Sequence, residues 1–214
     1  LARKAGEVLV ADTRPENLEV NKRRHKAHSN IRYQFGDLWE LKEDGFDLAC
    51  LIGPKTKEET LGIQKKTEGQ NKRAEALAYC RQLSERAASL VKPGGRLAVV
   101  IPNSKALKIW AGGELDKQEL SVTLSDLQSI LGQLKGRSYF YYPLPDYKLP
   151  TAIYSDEYLP VKGELPNLFM EYEKPRYRLF SEEAVYDMIC EGGGFGQFAS
   201  AFFVIWEKED EPGA

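Results

Sequence analysis

Histidine is nearly absent from this sequence: His25 and His28 are the only two in 214 residues. Neither has a cysteine or an acidic cluster at ligand spacing, so no metal site is legible. Cysteine is scarce as well. Cys50, Cys80 and Cys190 are odd in number, far apart and set in apolar sequence, and are expected as buried thiols of a reducing compartment. A dominant charge sign is also missing. The 30 basic and 32 acidic residues leave a net charge of −2, too little to attract nucleic acid or an anionic membrane. No apolar stretch is long enough to span a bilayer, and no secretory-leader pattern opens the sequence. The expected setting is the cytoplasm.

What is present alternates regularly. Glu7 to Asp12 is an apolar strand ending on a carboxylate, and Arg14 to Lys26 follows as a helix with Pro15 in its first turn. Asn30 to Phe35 alternates like a half-exposed strand closed by Gly36-Asp37. Gly45 to Gly53 reads as a strand buried on both faces. A long helix then carries Ala76, Cys80, Leu83, Ala87 and Leu90 on one face. Lys92-Pro93-Gly94-Gly95 stops it, and Val99-Val100-Ile101 begins another buried strand. A further helix is expected near Ser125, with Ser125 and Gln128 as a capping box, followed by a strand over 138–142. From Pro143 to Pro175 the chain holds six of its eleven prolines and many tyrosines. That segment is expected to be an ordered insertion, since aromatics at this density bury area. A short helix over 181–191 and a final strand near 200–207 complete the pattern. The repeated βα units predict an α/β, doubly wound, mostly parallel Rossmann-like sheet with an antiparallel region at one edge. The expected organisation is one domain over 1–214: a cofactor half over 1–103, a helix and strand over 104–142, the insertion over 143–180, and a terminal helix and strand over 181–207.

The helix, Lys-Pro-Gly-Gly, strand unit at 76–103 closely resembles the fourth helix and fifth strand of class I S-adenosylmethionine-dependent methyltransferases. The order of the other strands agrees with that family. The resemblance implies S-adenosylmethionine as cofactor, with Asp12 binding its ribose hydroxyls and Asp37 its adenine amine. A carboxylate suits both tasks because it is the strongest acceptor available to those donors. Thr13, Gly36, Leu38 and Gly53 belong to the same strand ends and complete the implied cofactor set. Asn103, Tyr142, Tyr147 and Tyr154 are the implied acceptor-side residues, and Asp146 and Asp156 the candidates for a general base. The residues alone leave other roles open: Asp12 as a cap for the next helix, Asp37 as a turn former, His25 as a packing residue.

Residues 140–160, with Leu107 to Gly112 and Val20 to His25, are similar to methyltransferase-like domains of gut Firmicutes associated with glycosyltransferases of cell-surface polysaccharide synthesis. This implies a bacterial protein acting on a small-molecule or glycan acceptor, without nucleic acid or membrane. Two departures from the family stand out. Its glycine-rich loop and first strand have no counterpart here. A strand between 7–12 and 46–52 is therefore expected from outside these residues, from a preceding segment, a homo-oligomer or a partner chain. In addition, Gly53 to Glu59 replaces the usual short motif after the fourth strand. Three functions remain open: an active methyltransferase, a methyltransferase-like binding or scaffolding module without turnover, and a nucleotide-binding oxidoreductase.

Overall fold

A computed structural model describes residues 2–61, 71–165 and 176–210. Residues 62–70 of the charged stretch 55–73, the end of the insertion (166–175) and the last four residues of the tail therefore lie outside the described residues. The chain forms two compact units, 1–44 and 45–214.

The first unit is a βαβ element. Strand β1 (Val8–Asp12), helix α1 (Pro15–Arg24) and strand β2 (Ile31–Phe35) follow one another. The strands pair in parallel, Val8 against Ile31 through Asp12 against Phe35. Pro15 occupies the start of α1, where its missing amide costs nothing, and Leu18 is the buried residue of the helix. Asn30 ties the N-terminal turn to β2 through bonds of 2.8 and 2.9 Å to the carbonyls of Ala2 and Ala5.

In the second unit, β3 (Phe46–Ile52), α2 (Lys57–Leu61), α3 (Asn71–Leu90) and β4 (Val91–Pro102) come first. They are followed by α4 (Leu107–Trp110), α5 (Leu124–Leu131), β5 (Gly136–Leu144), β6 (Ala152–Ser155), α6 (Glu182–Glu191), α7 (Phe195–Phe198) and β7 (Ala201–Lys208). The sheet order is β3-β4-β7-β5-β6. β3 and β4 are parallel, and β7 runs antiparallel to both β4 and β5. The edge strand β6, unforeseen in the sequence, is built from the insertion and pairs antiparallel with β5. The core lies between this sheet and its helices: Leu97, Val99 and Ile101 of β4, Phe202, Val204 and Trp206 of β7, and Leu127 and Leu131 of α5 are all at most 2 % exposed. On α3, Cys80, Leu83, Ala87 and Leu90 form the anticipated buried face.

Three local expectations are corrected. β3 contains no fully buried residue, and its Ile52 is 62 % exposed. The reason is its place at the sheet edge, with β4 as its partner among the described strands, and the same position leaves Cys50 exposed rather than buried. Lys-Pro-Gly-Gly does not precede the strand; it lies inside β4 as an irregularity where the ladder slips between Phe46 and Leu48. Gly94 takes φ +69°, and a side chain at Gly95 would meet Val91 at 2.6 Å. Finally, α5 is capped by Thr123 and Asp126, not by Ser125 and Gln128. The Thr123 hydroxyl accepts from the Asp126 amide, and the Asp126 carboxylate accepts from the Thr123 amide.

Candidate functional site

In the first unit the implied cofactor residues share the carboxyl end of two paired strands. Gly36 donates its amide to the Asp12 carbonyl at 3.2 Å, so the turns carrying Asp12-Thr13 and Gly36-Asp37-Leu38 are adjacent. Asp12 holds the entry to α1: Oδ1 accepts from the Arg14 amide at 2.8 Å, and Oδ2 from Asn17 Nδ2 at 2.9 Å. Asp37 holds the turn after β2, its Oδ1 accepting from the amides of Trp39 at 2.9 Å and Glu40 at 3.1 Å. Both carboxylates thus shape their turns. A carboxylate offers about four acceptor positions, so these bonds leave room for further donors.

In the second unit, chain segments following β3, α4 and β5 meet over the carboxyl ends of β3 and β4. Gly53 turns out of β3 at φ +54°, and a β-carbon there would stand 2.6 Å from the Tyr147 hydroxyl. Glycine is required on both counts. Backbone bonds of 2.8 Å join Thr56 to Gln118 and Leu120 to Pro54, and they set Lys55 opposite Glu119. Oε1 of Glu119 then lies 3.4 Å from Lys55 Nζ and 3.6 Å from Lys148 Nζ. Lys55 also reaches Asp116 at 3.7 Å, and the Lys148 ammonium lies 5.8 Å above the Tyr147 ring. Burial, followed by the fields of Glu119, Asp146 and Asp116, pushes the Tyr147 phenol well above its usual range. Asp146 is 6 % exposed, and its Oδ1 accepts from the amides of Lys148 at 2.7 Å and Leu149 at 3.2 Å. Together Asp146, Tyr147, Lys148, Asp116 and Glu119 line an open cleft of about 40 Å³ with Ser200 and Ala201 of the β7 entry. That volume holds water, not an organic ligand.

The other sequence-derived residues go elsewhere. Asn103 follows β4 directly but points inward: fully buried, it donates to the carbonyls of Gln197 and Ala199 at 2.9 and 2.8 Å and accepts from the Lys105 amide at 2.9 Å. Tyr142 and Tyr154 sit in an aromatic cluster with Phe195, edge-on at 5.9 and 5.6 Å. Tyr142 donates to Asp156 at 2.5 Å, and burial and that carboxylate raise its pKa above the usual range. Burial and Glu164 push Tyr154 up to about 12. The cleft therefore brings together Asp146 and Tyr147, with Gly53 packed against the Tyr147 hydroxyl, while Asp156, Tyr142 and Tyr154 belong to the packed edge around β6. Sequence reasoning missed Lys55, Asp116, Glu119 and Lys148. Lys55 and Glu119 are 64 residues apart in segments without periodicity, and only the strand-end turns align them.

The sheet is therefore Rossmann-like, with its last strand inserted antiparallel between β4 and β5. No family model matches the sequence, and no curated protein matches it. Among solved structures, the chain is similar to the YcgJ protein of Bacillus subtilis, with 15% identity and a TM-score of 0.53 over 98% of this chain and 86% of that one. It is also similar to an S-adenosylmethionine-dependent methyltransferase of Thermotoga maritima, with 11% identity and a TM-score of 0.50 over 94% and 73% of the two chains. At such identities the likeness is one of fold. The chain has the fold of the class I S-adenosylmethionine-dependent methyltransferases.

Proposed function

We propose that this chain binds S-adenosylmethionine and transfers its methyl group to a small-molecule or glycan acceptor, as one functional domain over 1–214. The observation that carries the reading is the adjacent placement of Asp12 and Asp37 at the carboxyl ends of paired parallel strands, where open α/β sheets receive ligands. Asp12 binds the ribose hydroxyls with the acceptor positions its turn leaves open, and Asp37 binds the adenine amine. Methyl transfer from a sulfonium needs little acid–base chemistry, and alignment of the acceptor supplies most of the acceleration. A sugar hydroxyl additionally calls for a general base. Of the two carboxylates considered, Asp146 lines the cleft, whereas Asp156 is engaged by Tyr142.

A second reading has its own support. Tyr147 lies on Gly53 and the cleft is small, as suits a methyltransferase-like module that binds without turnover. Calorimetric titration of the full-length protein with S-adenosylmethionine, followed by an assay for S-adenosylhomocysteine with candidate acceptors, separates the two. Saturable binding lost in Asp12→Ala supports the cofactor site. Binding with no turnover on any acceptor favours the module, and binding unchanged in Asp12→Ala rejects the site.

A further inference from the structure

The net charge of −2 averages over an uneven distribution. Residues 20–30 hold Lys22, Arg23, Arg24 and Lys26 with no acidic residue among them, and residues 1–6 add Arg3 and Lys4, again with none. The βαβ element brings these two stretches to one place. Helix α1 runs back along the parallel pair β1 and β2 and ends at Arg24, so the turn after it leads into the amino end of β2. The turn before β1 is held there too, because the Asn30 side chain donates to the carbonyls of Ala2 and Ala5. All six cations are exposed. The acids that bound these stretches are engaged: Lys22 holds Glu19 at 2.8 Å, and Arg32 pairs with Glu7.

Helix stability accounts for part of this charge, since cations in a last turn offset the negative end of the helix dipole. Lys22, Arg23 and Arg24 serve that purpose. Lys26, Arg3 and Lys4 lie outside the helix and gain nothing from it. Cations gathered from two segments onto one exposed pole repel one another and draw an anionic partner. Two features select its kind. The exposed aromatics of this unit, Phe35 and Trp39, lie at the opposite, carboxyl end of β2, so the pole lacks a large aromatic on which bases could stack. It has instead Val20, 46 % exposed, one helical turn before Arg23 and Arg24 and on the same side of α1. An apolar side chain flanked by cations suits the boundary between headgroups and acyl chains.

We propose that the amino pole of this βαβ unit, formed by Arg3, Lys4, Arg23, Arg24 and Lys26, docks the protein onto a lipid bilayer carrying anionic headgroups. Net charge alone argues against such a surface; its distribution argues for one. The five-residue strands set the pole about 16 Å from the turns of Asp12 and Asp37, so docking leaves the proposed cofactor end facing away from the bilayer. The proposal goes beyond the methyltransferase reading and does not depend on it.

The test is co-sedimentation of the full-length protein with vesicles of phosphatidylcholine alone and of a two-to-one mixture with phosphatidylglycerol, at low and high salt. Binding should require the anionic lipid and fall as salt shortens the screening length. Each cation near such a surface contributes about fivefold in partitioning, so Arg23→Gln/Arg24→Gln/Lys26→Gln should lower it about a hundredfold. Arg3→Gln/Lys4→Gln should lower it about 25-fold; it leaves the helix untouched and decides the matter if the triple variant does not fold. Arg81→Gln/Lys117→Gln/Arg137→Gln removes three exposed cations from the second unit and should bind like the wild type. Equal binding to neutral and anionic vesicles, wild-type partitioning in the pole variants, or an equal loss in the control variant overturns the proposal. Duplex DNA that displaces the protein from vesicles at equal phosphate concentration would mark a nucleic-acid surface and overturn it as well. S-adenosylmethionine titrated into the same variants reports on Asp12 and Asp37 separately, so the two readings can fail independently.

Discussion

Arg176 forms an ion pair with Glu182, a residue only 2 % exposed, and the same guanidinium donates to the carbonyls of Lys108 and Ala111 at 2.9 and 3.2 Å. One side chain thus joins the start of α6 to the end of α4. Removing it should leave a buried carboxylate uncompensated, so Arg176→Met is expected to destabilise the protein by about 3–5 kcal/mol in urea unfolding. The double variant Arg176→Met/Glu182→Leu should recover a large part of that loss. If the two single changes add without coupling, the pair contributes nothing as a unit.

Lys208 of β7 reaches across the sheet to the end of α3, its ammonium 2.6 Å from the Val91 carbonyl and 3.3 Å from that of Ala88. Those carbonyls lie at the negative end of a 20-residue helix. Lys208→Met keeps the apolar stem and removes the charge, and should cost about 1–2 kcal/mol. Denaturant midpoints of the two proteins measure it, and equal midpoints would remove the capping role.

A β-carbon at Gly196 would stand 2.9 Å from the Tyr142 hydroxyl and 3.0 Å from its ring carbon. Gly196→Ala should therefore push Tyr142 off Phe195 and Asp156, at a cost of about 1–3 kcal/mol. Gly196→Ala combined with Tyr142→Phe should restore part of it, since the hydroxyl is the nearest obstacle. Thermal unfolding of the three variants is the check.

Cys80 is 3 % exposed, and burial pushes its thiol up to about 11 from an ordinary 9.0. The folded state therefore holds this proton more tightly than the unfolded chain. The contribution is fully present below pH 9 and declines as pH rises towards 11, by about 2–3 kcal/mol. Comparing the stability of wild type and Cys80→Ala across that window isolates it from the tyrosines, and parallel pH curves would refute it. Alkylation at neutral pH should modify the exposed Cys50 and spare Cys80 until the protein unfolds.

Asp12→Ala should weaken S-adenosylmethionine binding more than Asp37→Ala, because two ribose hydroxyls meet one carboxylate while a single amine meets the other. A charge-assisted bond contributes roughly 1.5–3 kcal/mol, so the expected loss for Asp12→Ala is on the order of tenfold or more. Because Asp12 also bonds Arg14 and Asn17, titrations belong at a temperature where the variant's fold is verified.

Much of the fold was legible because it is written locally. The spacing of Cys80, Leu83, Ala87 and Leu90 marks the buried face of α3, and Val99 to Ile101 marks a central strand, whatever the distant residues do. What stayed hidden depends on partners. The sequence of β3 reads as buried, yet its exposure follows from its place in the strand order. Thr123 and Ser125 are equally good capping residues by type, and the first turn of α5 alone decides between them. Around the cleft, Gly53 and Tyr147 could be named from strand-end position and composition. The ion pairs of Glu119 with Lys55 and Lys148 could not, since pairing across long loops leaves no periodic trace.

β7 is the last strand in sequence order, yet it lies between β4 and β5. During synthesis, β3 and β4 can pair as soon as they emerge, and β5 can fold back on β6. The two pieces then wait with complementary edges open until Ala201 to Lys208 leaves the ribosome and joins them. Ser200 and Ala201, at its start, are also the last wall of the cleft to arrive. A chain interrupted before this point carries nearly every group of the cleft and none of the seam that holds its two halves in register, so assembly and competence to bind are completed by the same late segment.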